Sequence, residues 1–311
     1  LNQVYLGAQR SMENPRVGLG VLAVSMCSNT LLNYMLIFGK FGAPALGVVG
    51  AAAATLISRI IEFIVTFSYA GLNRRFRLKW NLLLRPGRTL ISRFVHYASP
   101  VVFNETMWGL GTSLFPTIMG HMAGSTEILA AFTLAGNLEK ISTVAIFAVA
   151  NAAAIIVGRE IGCGTDRKKV YDIGRALNAI SLIVGAVVAA VMIALCLTLA
   201  RPFLYPLFHL SETAASITTM MLMVTFLIMP LRSYNSVAVV GVLRGGGDVR
   251  QASVIDLTPL WLIAIPAAAV TGLILKTGIF SVYLAISLEN IVKPLLILHR
   301  FRSGKWIHDL T

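Results

Sequence analysis

Eight stretches of this chain each run for more than twenty residues with almost no charge, and that property dictates most of what the chain can become. Val17 to Phe38 and Ala176 to Ala200 hold no charged residue, and Ala45 to Tyr69 holds only Arg59 and Glu62. Phe94 to Gly120 is interrupted by His96 and Glu105, Ile128 to Gly158 by Glu139 and Lys140, and Thr213 to Leu243 by Arg232. Gln251 to Leu275 contains Asp256, and Thr277 to Leu298 contains Glu289 and Lys293. A bilayer core about 30 Å thick is crossed by roughly 20 apolar helical residues, whereas strands of a membrane barrel would read as alternating segments of about ten. In lipid a helix satisfies every backbone polar group within itself. The expected fold is therefore an all-α integral membrane protein with eight complete spans. A content of 57% hydrophobic and 13% charged residues, with mean hydropathy +0.79, agrees with that solvent.

A formal charge of +13 would point a soluble chain toward nucleic acid, so the placement of the basic residues decides. With the loop after Tyr69 on the cytoplasmic side, the loops there hold nineteen Lys and Arg against three, Lys40, Arg201 and Lys276, on the other. That is the positive-inside pattern, and it leaves no role for nucleic acid. It also puts the C-terminus in the cytoplasm. Cys27, Cys163 and Cys196 are too scattered for a disulfide framework, and Cys27 and Cys196 read as packing residues. The five His have no ligand spacing, so no transition-metal site is expected, and Gly245-Gly246-Gly247 lacks the Lys-Ser/Thr of a phosphate loop and reads as a turn.

The chain opens on Leu1-Asn2-Gln3-Val4-Tyr5-Leu6 without Met, which reads as a helix already under way and implies a longer natural chain. A pattern then recurs. Leu6-Gly7-Ala8-Gln9-Arg10, a span, and Gly47-Val48-Val49-Gly50 opening the next are echoed by Leu243-Arg244-Gly245-Gly246-Gly247-Asp248, a span, and Gly278-Ile279-Phe280-Ser281. Both copies close on a basic tail, Arg74-Arg75-Phe76-Arg77 and Arg300-Phe301-Arg302. Such symmetry is typical of transporters built from two related bundles that bind near the midplane between them. The basic connector reads as an amphipathic segment on the cytoplasmic surface, with Trp80 and Leu82 to Leu84 toward lipid.

Several of these residues carry a family resemblance. Asn29-Thr30-Leu31-Leu32-Asn33, followed by Gly39, Gly42, Pro44 and Gly47 to Thr55, resembles the fifth and sixth helices of the multidrug and toxic compound extrusion (MATE) family. Pro100 with Asn104-Glu105 and Trp108 is similar to its seventh helix, Leu243 to Asp248 to its loop after the tenth, and Glu289 with Lys293 to its twelfth. The resemblance implies a two-lobe helix bundle in which this chain supplies helices five to twelve of twelve. Residues 1–70 would then be the remainder of the N-terminal lobe, 71–93 the inter-lobe linker, 94–302 a complete C-terminal lobe and 303–311 a cytoplasmic tail.

Ionisable groups inside a bilayer are costly and are functional candidates by default. Glu105 leads, as the only formal charge in its span, with Trp108 one turn away on the same face. A carboxylate there can hold a proton or Na⁺, and no other metal or cofactor is expected. Asn29 and Asn33, four apart, present amide groups on one helical face, and the resemblance implies a place beside the cavity. Some family members carry Asp where Asn33 stands, and some carry an acid in the tenth helix, where this chain offers Arg232, Tyr234 and Asn235; the coupling ion stays open between Na⁺ and H⁺. Asn104, Trp108, Glu139, Arg232, Asn235 and Asp256 are the expected cavity residues. Asp256 and Arg232 are candidates to pair with each other or to meet a substrate, and Glu289 and Lys293, at i,i+4, are expected to form a local salt bridge.

The resemblance implies a monomeric antiporter of the plasma membrane, not an enzyme, that exports organic cations by alternating access. The alternative of the same architecture is a flippase for a lipid-linked sugar or peptidoglycan precursor, which would need a cavity rich in Arg and Lys to hold a pyrophosphate.

Overall fold

The computed structural model describes residues 2–11, 14–73, 87–208 and 210–308, and every long element among them is a helix. All eight apolar windows of the sequence are helical, with most ends within a few residues of the bounds hydropathy sets and the helices of Phe94 to Gly120 and Ala176 to Ala200 starting earlier, at Arg88 and Arg167. The expected amphipathic linker segment around Trp80 and Leu82 to Leu84 lies outside the described residues. The chain divides into two compact units, residues 1–91 and 92–311.

The first unit contains α1 (Asn2–Ser11), α2 (Pro15–Phe38) and α3 (Gly47–Leu72). Helix α2 starts on a proline, whose missing N–H is no loss in a first turn, and stops at Gly39, where φ of 64° turns the chain out of the helix. Helix α3 buries Gly50, Ala54, Ser58, Glu62, Thr66 and Ala70, a stripe of small and polar residues at every fourth position. Between lipid-embedded helices, where burial of apolar surface supplies little drive, such stripes allow the close approach that dispersion and hydrogen bonds require. The approach is close: a Cβ on Gly50 would collide with the carbonyl oxygen of Leu36 on α2.

The second unit is built from α4 (Arg88–Gly120), whose first turn lies at the division, and from α5 (Ser125–Gly162), α6 (Arg167–Leu195), α7 (Glu212–Ser236), α8 (Val249–Pro259) and α9 (Ile279–Arg302). Three of them continue beyond these bounds in wider, π-type turns: α6 over Cys196–Leu204, α7 over Val237–Leu243, and α8 over Leu260–Ala264 and again over Val270–Ile274. Among the described residues seven helices are long and apolar enough to cross a membrane, and α4, the eighth expected span, is not one of them. Helix α4, 33 residues long, is diluted by Asn104, Glu105, several Ser and Thr, and two internal prolines.

Four apolar clusters fill the described part of this unit, the smallest being Ala150, Ala153 and Val237. Met119, Met221, Leu222, Phe226 and Met229 centre the largest, between α4, α5, α6 and α7. Phe115, Leu260 and Ala264 fill the seam of α4 and α8. Val157, Val170, Leu243, Ile297, Phe301 and Trp306 close the end nearer the basic loops. Met221 and Met229 are fully buried core residues. Cys196 is buried as expected, but Cys27 lies exposed on α2 and packs no core.

Residues 303–308 turn back after α9 as a clasp. Trp306 is fully buried and stacks on Phe301 with ring centroids 5.4 Å apart, while Phe301 stacks on Tyr171 at 4.7 Å. The His308 amide donates to the Gly246 carbonyl at 2.9 Å, and Arg167 donates to the Gly304 carbonyl at 2.8 Å. A Cβ on Gly246 would sit 2.5 Å from the Trp306 ring, so glycine is required there by contact.

Candidate functional site

Polar side chains within the apolar helices gather in two places, one in each unit. In the first, α2 and α3 face each other across a ladder. Asn33 donates to the side-chain oxygen of Asn29 at 3.0 Å, and Asn29 donates to Ser58 at 3.2 Å. One turn along, Ser25 donates to Glu62 at 2.9 Å and Arg59 reaches the same carboxyl oxygen at 2.6 Å. The structure thus joins Asn29 and Asn33 and adds Glu62, which the sequence reading left without a role. The signal was there: Ser25, Asn29 and Asn33 repeat every four residues, as do Ser58, Glu62 and Thr66, so both polar stripes lie on helix faces that can meet.

The second unit holds a longer chain of charges. Lys293 on α9 donates to Asp256 on α8 at 2.9 Å. The other carboxyl oxygen of Asp256 accepts from Asn104 on α4 at 3.0 Å. Arg244, at the end of α7, donates to Glu105 at 3.0 Å with one guanidinium nitrogen and lies 4.0 Å from Asp256 with another. Four elements are tied together by one line, Glu105–Arg244–Asp256–Lys293. Its ends differ: the Glu105 side chain is 59% exposed and that of Lys293 only 6%. Trp108 is also exposed, whereas Asn104 is wholly buried. A second pair, Arg232 on α7 with Glu139 on α5 at 2.5 Å, crosses the same unit. Asn235, one turn from Arg232, donates to the backbone of Asn290 on α9 at 3.1 Å.

Two expected pairings are corrected. Arg232 and Asp256 do not meet; each is held by a different partner, Glu139 and Lys293. Nor do Glu289 and Lys293 form their local bridge, because the Lys293 ammonium turns across the helix interface to Asp256. An i,i+4 spacing makes a pair available, and a better-placed carboxylate on the neighbouring helix wins it. Five side-chain amide oxygens, on Asn2, Asn33, Asn104, Asn178 and Asn235, are buried with no hydrogen-bond partner among the described residues. Asn33, Asn104 and Asn235 belong to the residues the sequence singled out, and an unpaired amide oxygen is ready to accept from a ligand or to coordinate a cation. Separately, a cavity of about 440 Å³ opens among the α4–α5 and α8–α9 turns, beside His121, Glu127 and Lys276, and includes none of the expected site residues.

Comparison with known proteins places these features in a family. The MatE family model matches residues 100–270, more than half of the chain. Over 296 residues the chain is 25% identical to the uncharacterized transporter YisQ of Bacillus subtilis, covering 94% of this chain and 61% of that protein. It is 24% identical to the probable multidrug resistance protein NorM of Thermotoga maritima, covering 97% and 63%. A Bacillus cereus protein of the same description is 30% identical over 85% of this chain and 57% of its own. The chain therefore spans about three fifths of the length of these curated relatives. Among solved structures, the Vibrio cholerae MATE transporter VcmN, as a mutant, superposes with a TM-score of 0.79 at 18% identity, over 98% of this chain and 67% of that one. A transporter of the MOP superfamily from Pyrococcus furiosus gives 0.79 at 18% identity, over 98% and 66%. At that identity the likeness is one of fold.

Proposed function

This chain belongs to the MatE family, and from that premise we propose that it forms part of a secondary antiporter that exports organic cations and related xenobiotics in exchange for Na⁺ or H⁺. The protein works as a monomer in the plasma membrane by alternating access, with its C-terminus in the cytoplasm. The names of its relatives, multidrug resistance proteins among them, support the substrate class.

The observation that carries the reading is the line Glu105–Arg244–Asp256–Lys293. Arg244 stands between two carboxylates and can satisfy either. With Glu105 ionised it leans outward, at 3.0 Å from that residue and 4.0 Å from Asp256. A proton or Na⁺ arriving at the exposed Glu105 takes away the attraction, and the guanidinium moves inward to Asp256. An arginine with two alternative partners on three helices is a bistable element whose balance an ion can shift by its differential affinity. In this scheme Asn104, Trp108, Glu139, Arg232, Asn235 and Asp256 line the substrate cavity, and Asn29 and Asn33 assist ion coupling from the first unit. Glu139 meets a cationic substrate when it displaces Arg232.

The flippase alternative is less well supported, because Arg232, Arg244 and Lys293 are each engaged by a carboxylate and offer a pyrophosphate no uncommitted cation. Ethidium efflux from vesicles holding the protein, under separately imposed Na⁺ and proton gradients, tests the assignment. We expect Glu105→Gln to slow gradient-driven efflux by about tenfold or more, a loss of ~1.4 kcal/mol or greater in the driven step. Unchanged efflux would remove Glu105 from coupling, and no efflux by the unmodified protein under either gradient would turn the assignment toward the flippase.

A further inference from the structure

Three cations of the second unit, each in an ion pair, account for three of the four carboxylates within its spans. Arg244 takes Glu105, Lys293 takes Asp256, and Arg232 takes Glu139. The fourth, Glu289, is left over, and it is the least exposed of the set, at 8%. Among the described residues it makes no ion pair, and its Oε2 is buried without a hydrogen-bond partner. Lys140, which shares a span with Glu139, is exposed.

Glu289 lies ten residues into α9 and thirteen from its end, hence about 15 and 20 Å from the two ends of the helix. The charges near enough to act on it are Lys293 on its own helix, Arg232 on α7, Asp256 on α8 and Glu139 on α5. Two are positive and two negative, and each is already committed to another of the four. The surroundings therefore present no net charge to compensate a fourth carboxylate. An isolated charge near the middle of a bilayer costs several kcal/mol on most scales, so a lone carboxylate there is held in company with a cation or not as a carboxylate.

We propose that Glu289 is a cation-binding site distinct from Glu105, occupied in the resting protein by a proton that Na⁺ can replace. An open oxygen on the carboxyl group and the nearby Arg232–Glu139 pair, whose side chains retain 27% and 22% exposure, give an arriving ion both a ligand and an approach. Asn235, whose buried amide oxygen lacks a partner and whose amide nitrogen bonds the backbone of the residue next to Glu289, supplies a further neutral oxygen on the facing helix. The role in transport rests on the antiporter reading above: with Glu289 and Glu105 both loaded, two cations bias the helix packing of this unit. The binding itself does not depend on that reading.

Infrared spectra of the purified protein in lipid vesicles test the site directly, through the C=O stretch of a protonated carboxyl group near neutral pH. The unmodified protein in Na⁺-free buffer is expected to show that band, and Na⁺ to abolish it. Glu289→Gln, which copies the shape of the protonated side chain, is expected to lack the band, while Glu105→Gln keeps it because the band belongs to Glu289. A band that persists in Glu289→Gln, or none in the unmodified protein without Na⁺, overturns the proposal. If Glu289→Gln does not fold, Glu289→Asp serves: its shorter carboxyl is expected to shift the band, and an unshifted band overturns the assignment. Band loss in Glu289→Gln alongside absent gradient-driven efflux in the unmodified protein would keep the site and discard the antiporter reading.

Discussion

At the scale of single residues, the sequence shows which polar groups lie in the apolar runs better than how they pair. Glu105, Asn104, Glu139, Arg232, Asn235 and Asp256 stand out because each is a polar group in a long apolar run, and all six lie in or beside the polar core of the second unit. Their partners were not legible, since a pair such as Lys293 with Asp256 joins residues 37 apart through helix rotation that spacing along one helix does not report. Buried pairs of this kind are asymmetric in energy. Removing one member strands the other, at a cost of about 3–5 kcal/mol, whereas removing both leaves no uncompensated charge. Lys293→Ala is therefore expected to lower the thermal midpoint of the protein in detergent markedly, and the double change Lys293→Ala with Asp256→Ala to recover much of the loss. Additive losses would show that the two residues do not depend on each other.

At the scale of helices, periodicity and hydropathy gave nearly everything except the turns that depart from 3.6 residues. The window Val17 to Phe38 becomes Pro15–Phe38, and Thr277 to Leu298 becomes Ile279–Arg302, because proline and glycine mark the ends that apolarity leaves blurred. The π-type turn after Ser236 has no such punctuation beside it, and the one after Pro259 has a proline that hydropathy alone does not translate into a wider turn. Small residues, by contrast, could be read as contact points. Gly185 on α6 stands where a Cβ would lie 2.6 Å from that of Ser233 and 2.7 Å from the Cα of Pro230 on α7. The adjacent Ser233 hydroxyl donates to the Ser181 carbonyl at 2.6 Å and holds the two helices at that separation. Gly185→Val is expected to push them apart and cost about 1–3 kcal/mol or more, seen as a lower midpoint of thermal unfolding, with Gly136→Ala, where a Cβ meets nothing, as the tolerated control.

At the scale of the whole molecule, hydropathy gave the class and the positive-inside count an expected sidedness. The tail was not legible. Residues 303–308 look like a polar leftover after the last span, yet Trp306 is among the most buried side chains of the chain. Its ring fills a slot lined by Gly174, Gly246 and Phe301, so Trp306→Ala leaves a cavity and is expected to cost about 3–5 kcal/mol, measurable as a fall in the unfolding midpoint. A midpoint unchanged by Trp306→Ala would mean that the clasp is ornamental. The clasp also sets an order of assembly. Helices enter the membrane one after another as the ribosome delivers them, so the loop after α7 and the first turns of α6 wait, unsealed, until the residues beyond α9 have been made. The residues that shut this bundle are made after every helix they touch, and quality control that samples the nascent protein before then meets an inserted but unlatched form.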